Sequence, residues 1–167
     1  MSKIILNSIE VLVAIGLMYG VFKYWNRKLR LAYSIERKNR AFGIFMFFQV
    51  ITLMAIIISG VDPQNSVYLE GLSMFGVGAY KYWSIVGVEL FGFTIVYILA
   101  NLFGHILFSA GYQSENSLYE EIKDDNWSVV MIASALILSL GYLGSSFVLK
   151  PFIFDWISRN AAFIPLT

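Results

Sequence analysis

The 167-residue chain has no cysteine, a single histidine and three prolines, and only 14% of its residues are charged. The lack of cysteine excludes disulfides, thiolate catalysis and cysteine-based metal sites. A soluble domain has about 25% charged residues, so the shortage of charge argues against that class. The sequence also lacks phosphate-binding loops and the common hydrolase motifs. We therefore predict no catalytic site, no cofactor, no metal and no nucleic-acid partner.

Hydrophobic residues make up 58% of the chain and are concentrated in long runs. A helix needs about 20 apolar residues to cross a bilayer. Four runs reach that length, and these are Ile4–Tyr24, Ala41–Val61, Ser84–Ser109 and Trp127–Leu149. Basic residues, and no small-residue cleavage site, follow the first run, so it is interpreted as a retained helix. The pattern predicts an all-α membrane protein with four transmembrane helices and no sizeable soluble domain.

Basic residues between the first two spans set the predicted topology, because Lys and Arg near helix ends favour the cytoplasmic side. They are Lys23, Arg27, Lys28, Arg30, Arg37, Lys38 and Arg40. We expect a multi-pass protein of the bacterial inner membrane with both connectors cytoplasmic and both termini outside. The second connector, between the last two spans, is acidic. The basic connector suits anionic lipid headgroups.

A short motif occurs twice. Ile35-Glu-Arg-Lys-Asn39 returns 87 residues later as Ile122-Lys-Asp-Asp-Asn126, with the three central charges reversed. Each copy stands at the end of a charged connector between two apolar helices. A proline and an aromatic segment follow the second of these helices. We predict a tandem duplication, with two-helix repeats at 1–67 and 83–150. An interfacial connector at 68–82 and an aromatic interfacial tail at 151–167 complete the chain.

This organisation resembles the bacterial family called domain of unknown function 350. Its members are small inner-membrane proteins built from a two-helix unit, commonly in tandem. The resemblance covers residues 4–149, and its best matches are the Ile35/Asn39 and Ile122/Asn126 pairs. It implies a membrane architecture and an inner-membrane location, and it implies no reaction.

Asn39 and Asn126 stand where the second and fourth spans begin. An asparagine at this position can accept a hydrogen bond from an unpaired backbone N–H and so cap the helix. The alternative is a hydrogen bond to another helix or subunit. The sequence leaves both interpretations open.

The connectors themselves suggest a contact. Leu31 and Ile35, like Leu118 and Ile122, are four residues apart and would share one face of a helix. The connectors are therefore predicted to be short amphipathic helices that lie on the inner leaflet or dock on each other. Docking would pair Arg37 and Lys38 with Asp124 and Asp125, within a subunit or between neighbours.

Apart from the tyrosines, and from Lys23 at the end of the first span, three ionisable residues lie inside the predicted spans, namely Glu10, Glu89 and His105. Such residues are functional candidates because they are costly in lipid. Tyr97, Asn101 and His105 fall within about 80° of one another on a helix, whereas Glu89 lies on another side. They indicate either an ion or proton path or simple interhelical hydrogen bonding.

Small residues predict close helix packing at Gly16 and Gly20 in the first span and at Gly141 and Gly144 in the fourth. They favour a homo-oligomer. The leading hypothesis is a non-enzymatic inner-membrane assembly component that presents charged connectors to lipid, neighbours or a cytosolic protein. The alternative is a small ion or proton channel, and an intramembrane enzyme ranks third.

Overall fold

The computed structural model describes residues 3–35, 38–60, 79–112 and 117–161. Within these ranges the side chains of 3–11, 79–85, 157–158 and 160–161 lie outside the description. The described chain is helical, with no strand in these four ranges. Its helices are α1 (Lys3–Tyr33), α2 (Arg40–Gly60), α3 (Ala79–Tyr112), α4 (Leu118–Lys123), α5 (Trp127–Gly144) and α6 (Lys150–Ala161). A π-helical turn (Ser145–Leu149) joins α5 to α6.

Three stretches of described helix are long and apolar enough to cross a membrane. They are Arg40–Gly60, Val86–Tyr112 and Trp127–Trp156. This finding supports a helical membrane protein. The predicted first span lies in α1 and includes residues whose side chains are not described. A membrane crossing by the first span, and with it the total of four spans and the tandem duplication, stay predictions.

Helix α1 runs to Tyr33, nine residues beyond its predicted span. It ends where Ser34 adopts a positive φ of 53° and donates its N–H to the Arg30 carbonyl at 3.1 Å, a left-handed helix end. Leu31 therefore belongs to α1 and is 73% exposed, whereas Ile35 is 6% exposed. The prediction that these two residues share one face of a connector helix is wrong.

The second connector does contain a helix of its own. Ser117 accepts a hydrogen bond from the Glu120 N–H, and the Glu120 carboxylate accepts one from the Ser117 N–H at 2.6 Å. This reciprocal pair is a capping box, and it starts α4. Leu118 and Ile122 are buried together, as their spacing predicts, but against other helices rather than open to lipid.

Pro151 does not end the fourth apolar helix. In the π-helical turn before it, Lys150 donates its N–H to the Ser145 carbonyl five residues back. We attribute the uninterrupted helix to this wider turn, which accommodates a residue that cannot donate a backbone hydrogen bond. The predicted interfacial tail therefore begins as helix α6, and residues 162–167 lie outside the described chain. The 68–82 connector lies largely outside it as well.

Helices α2 and α5 pack along each other at the centre, with α1 against α2 and α3 against α5. Since lipid and apolar side chains are alike, close packing rather than burial from water holds such helices together. A Cβ added at Gly141 would lie 3.0 Å from Thr52 Cγ2, and one at Gly144 would lie 3.3 Å from Val96 Cγ1. Both glycines pack as the sequence predicts.

The first-span glycines behave differently. A Cβ added at Gly16 or Gly20 would meet no described atom within 4 Å. They pack against no other described helix of the chain, and close packing at these two positions between copies stays a prediction. The tight positions that the sequence did not reveal are Gly60, Gly92 and Gly104, where an added Cβ would come within 2.3–2.6 Å of a neighbouring side chain.

Candidate functional site

Asn39 joins the two connectors. Its Oδ1 accepts a hydrogen bond from the Phe42 N–H at 2.6 Å, which is the N-cap hydrogen bond of α2. Its Nδ2 donates to the carbonyl oxygens of Ile122 at 2.6 Å and Lys123 at 3.3 Å. The sequence left two alternatives open for Asn39, a helix cap and a hydrogen bond to another helix. Both are present at this residue.

Asp125 supplies a second cap to the same helix. Its Oδ1 accepts a hydrogen bond from the Ala41 N–H at 2.7 Å, and its own φ is 56°. A carboxylate at a helix N-terminus also interacts favourably with the helix dipole. The sequence predicts that Asp125 pairs with a basic side chain. Its Oδ1 instead caps helix α2.

The remaining predicted charge pairs are not brought together by the described contacts. Lys38 and Asp124 are exposed, and Arg37 lies outside the described residues. The connectors still dock, because the contacts of Asn39 and Asp125 hold α4 against the start of α2. We call this unit, residues 34–35, 38–39 and 117–126, the connector cap.

Asn126 does not repeat the role of Asn39. Its side chain makes no cap hydrogen bond, and its Nδ2 donates to the Glu121 Oε2 at 2.7 Å. Glu121 is a buried carboxylate, and a buried charged group needs hydrogen-bond donors. The cap interpretation of Asn126 is therefore wrong, because its side-chain oxygen accepts no hydrogen bond from the first turn of α5.

A chain of buried polar side chains connects α1, α2 and α3. Trp25 Nε1 donates to the Tyr97 hydroxyl at 2.7 Å, and that hydroxyl donates to Gln49 Oε1. Gln49 Nε2 donates to Asn101 Oδ1 at 2.8 Å. Asn101 Nδ2 completes the chain at the Tyr97 carbonyl, 3.0 Å away. These bonds satisfy polar groups that would be costly if left unpaired between helices.

A second polar group lies toward the connector cap and contains Lys28. Its ammonium is 4.8 Å from the Trp25 ring and 4.9 Å from the Tyr119 ring, and it donates to the Tyr119 hydroxyl at 3.2 Å. The same hydroxyl is 3.2 Å from His105 Nε2. Burial raises the pKa of Tyr119, although Lys28 opposes this effect. The phenol therefore stays neutral at physiological pH.

Both polar groups border a cleft of about 840 Å³ between α1 and α3. Its lining includes the predicted stripe Tyr97, Asn101 and His105, and does not include Glu89. The open glycines Gly16 and Gly20 form its edge on α1. The cleft is otherwise mostly apolar and reaches Tyr119 at its connector end.

The other ionisable candidates are not part of this cleft. Glu89 is buried on α3, at 9% exposure, and it has an interaction partner. The side chain of Glu10 lies outside the described part of α1. Among the described side chains, no three His, Asp or Glu residues gather as they would around a metal ion.

Sequence reasoning missed several residues that shape the site, and some had local signals. Ser117-x-x-Glu120 is a capping-box signature. Gln49 is the single amide side chain in the apolar run of α2, and a polar side chain at such a position needs a hydrogen-bond partner. Trp25, Lys28 and Tyr119 had no local signal, because their contacts join distant parts of the chain.

Fold and site together define a helical protein with three stretches long and apolar enough to cross a membrane, a joined connector cap and a cleft between α1 and α3. No family model, curated protein or solved structure matches the chain. The resemblance to domain of unknown function 350 stays a prediction.

Proposed function

We propose that the chain is a non-enzymatic, homo-oligomeric component of a bacterial inner membrane that acts by binding neighbours through the connector cap. In this proposal α1 also crosses the membrane, which gives four spans in total, the two halves are duplicated units, and the connector cap faces the cytoplasm. The observation that carries the proposal is the docking of the two connectors by Asn39 and Asp125. It makes one ordered surface out of two charged segments.

That surface exposes both signs of charge, which suits contacts between copies. Lys38 and Lys123 are exposed, and so is Asp124. A surface with both signs can bind a neighbouring copy head to tail and close into a ring. Exposed ion pairs contribute only about 0.2–1 kcal/mol each, so they would select the partner while helix packing in lipid supplies most of the affinity.

Charge reversal tests this proposal. We expect Lys38→Glu to shift the subunit distribution of protein in native nanodiscs toward monomers, as measured by mass photometry. Asp124→Lys should do the same, and the double reversal should restore the oligomer. Lys38→Arg is the matched control. A wild-type protein that is monomeric at every lipid density would contradict the proposal, as would a double variant no better than either single one.

The alternative proposal is a small ion or proton path, and the buried polar chain favours it. Trp25, Tyr97, Gln49 and Asn101 are linked side chain to side chain, and a hydroxyl such as that of Tyr97 can both accept and donate a proton. His105 and Tyr119 lie nearer the cap and would provide the next polar step. Glu89 and Glu10 belong to this hypothesis from their sequence positions.

Proteoliposomes separate the two proposals. A proton path predicts dissipation of an imposed pH gradient, measured with an entrapped pH dye, that falls severalfold in Gln49→Leu or Glu89→Gln. Lys38→Glu should leave that flux unchanged. A gradient as stable with the protein as in empty vesicles would reject the path.

A further inference from the structure

The cleft between α1 and α3 has a polar end and an apolar end. Lys28, His105 and Tyr119 lie together at the end near the connector cap. Gly16, Leu17 and Ile98 line it farther along the helices. Gly16, Gly20 and Tyr24 on α1 are exposed, as are Ile98 and Leu102 on α3, so the cleft opens sideways between the two helices.

The length of the cleft corresponds to one leaflet. Gly16 and Lys28 are 12 residues apart on α1, and at 1.5 Å per residue this is about 18 Å along the helix. Half of a hydrocarbon core of about 30 Å is roughly 15 Å. The apolar part of the cleft can therefore follow an acyl chain from the headgroup level to the bilayer centre.

The charge at the polar end is positive. A second hollow of about 570 Å³ adjoins the cleft and shares Gly20, Tyr24 and Lys28 with it. Lys23 and Arg27 also line this hollow, and the described lining of both spaces contains no Asp or Glu. Three basic side chains therefore border the space beside the polar end of the cleft, where a headgroup phosphate would sit.

Lys28 is already positioned for such a phosphate. The rings of Trp25 and Tyr119 flank its ammonium, and Tyr24 lies 5.8 Å away. An ammonium has three N–H donors, and the Tyr119 hydroxyl takes one of them. Tyr24 engages a second, which leaves the third donor for an anionic ligand held against the aromatic wall.

From these contacts we propose that the cleft binds one anionic phospholipid of the connector-side leaflet, with its phosphate on Lys28 and an acyl chain along Gly20 and Gly16. The open positions at Gly16 and Gly20 then provide the space for the acyl chain. In this proposal α1 stands apart from α3 because the lipid fills the gap between them. This binding site is independent of the assembly proposed for the connector cap.

The test is lipid retention measured by native mass spectrometry. Protein is released from nanodiscs made of equal phosphatidylglycerol and phosphatidylcholine, and bound lipids are counted. We expect the anionic lipid to be retained about fivefold over the neutral one, as one basic contact near a membrane surface gives. Lys28→Gln should lower this preference to about twofold or less, with Lys23 and Arg27 still present, and Lys28→Arg should keep it. Lys123→Gln, an exposed lysine on α4, is the control.

A second variant tests the apolar part. Gly20→Leu should fill the cleft and reduce retention of both lipids, whereas Gly43→Leu, at an equally open glycine on α2, should not. Retention unaffected by Lys28→Gln or Gly20→Leu would overturn the proposal. So would Gly20→Leu dissociating an oligomer, which would assign the cleft to a second copy. Binding of free inorganic phosphate as tight as that of phosphatidylglycerol would also overturn it.

Discussion

The two halves of the chain carry the same motif but are held in different ways. In the first half, Asn39 caps α2 and binds α4, and Asp125 adds a second cap. In the second half, Asn126 donates a hydrogen bond to Glu121, and its side chain does not cap the first turn of α5. The glycines differ as well, since Gly16 and Gly20 of α1 are open, whereas Gly92 and Gly104 of α3 are tightly packed.

This difference shows that a repeated motif fixes a position in the fold and not a set of partners. Ile35 and Ile122 are buried in the same cluster, so the frame is shared. The side-chain amides differ in their partners. Asn39 donates to backbone carbonyls of α4, whereas Asn126 donates to the Glu121 carboxylate. Variants that distinguish the halves therefore test the comparison directly.

The largest difference is expected at the two asparagines. Asn39→Ala removes the cap of α2, worth about 1 kcal/mol. It also removes one hydrogen bond to the Ile122 carbonyl, at about 0.5–1.5 kcal/mol, although the Asp125 N–H still donates to that carbonyl. We expect a total loss of roughly 1.5–2.5 kcal/mol in the free energy of unfolding. Asn126→Ala removes a donor from the buried Glu121 carboxylate, at about 1.5–3 kcal/mol. Unfolding in mixed micelles titrated with dodecyl sulfate measures both losses.

The two variants should differ in where they act: Asn39→Ala should speed amide hydrogen exchange in the first turn of α2, whereas Asn126→Ala should leave the first turn of α5 unchanged. Equal increases in exchange at both helix starts would remove the proposed asymmetry.

Glycine substitutions come next. A Cβ at Gly104 would lie 2.3 Å from Ile137 Cγ1 and 3.4 Å from its Cα. Gly104→Ala should therefore destabilise the α3–α5 contact by about 1–3 kcal/mol. Gly20→Ala meets open space and should be neutral or stabilising by up to about 1 kcal/mol. The same micelle titration measures both variants, and a Gly20→Ala loss as large as that of Gly104→Ala would show that α1 is also tightly packed.

The cap supplied by Asp125 should give a smaller effect. Asp125→Ala removes the acceptor for the Ala41 N–H and places alanine at a positive φ, at a cost of about 1–2 kcal/mol. Asp125→Asn keeps an oxygen acceptor and tolerates this backbone conformation, so its cost should stay below about 0.5 kcal/mol. If Asn were as harmful as Ala, the carboxylate charge rather than the cap would be the important property.

The smallest effect concerns pH. The Ser117 backbone N–H and side chain hold the pKa of Glu120 below its ordinary value. A depressed pKa gives stabilisation that is present above the unfolded pKa of about 4.3 and lost as pH falls through the folded one. Wild type should therefore lose slightly more thermal stability than Glu120→Gln between pH 6 and pH 3. Parallel melting profiles would remove Glu120 from the pH dependence.

The sequence predicted the features that depend on local pattern. Long apolar runs predicted helices, and the spacing of Tyr97, Asn101 and His105 placed them along one cleft. The Ser117–Glu120 capping box had an equally local signal and was missed. The contacts from Asp125 to Ala41 and from Lys28 to Tyr119 join residues more than 80 positions apart. They depend on how helices pack, which a single sequence does not specify.

The joining of both connectors within one chain is tested most directly by cross-linking. The chain has no cysteine, so Lys38→Cys and Lys123→Cys introduce the only thiols, at two exposed positions of the connector cap. A short bismaleimide is added to nanodiscs that each hold one copy. We predict rapid cross-linking within the chain, which Asn39→Ala should slow. If single copies do not cross-link, and cross-links form only between copies in crowded membranes, the connector cap is not a property of one chain.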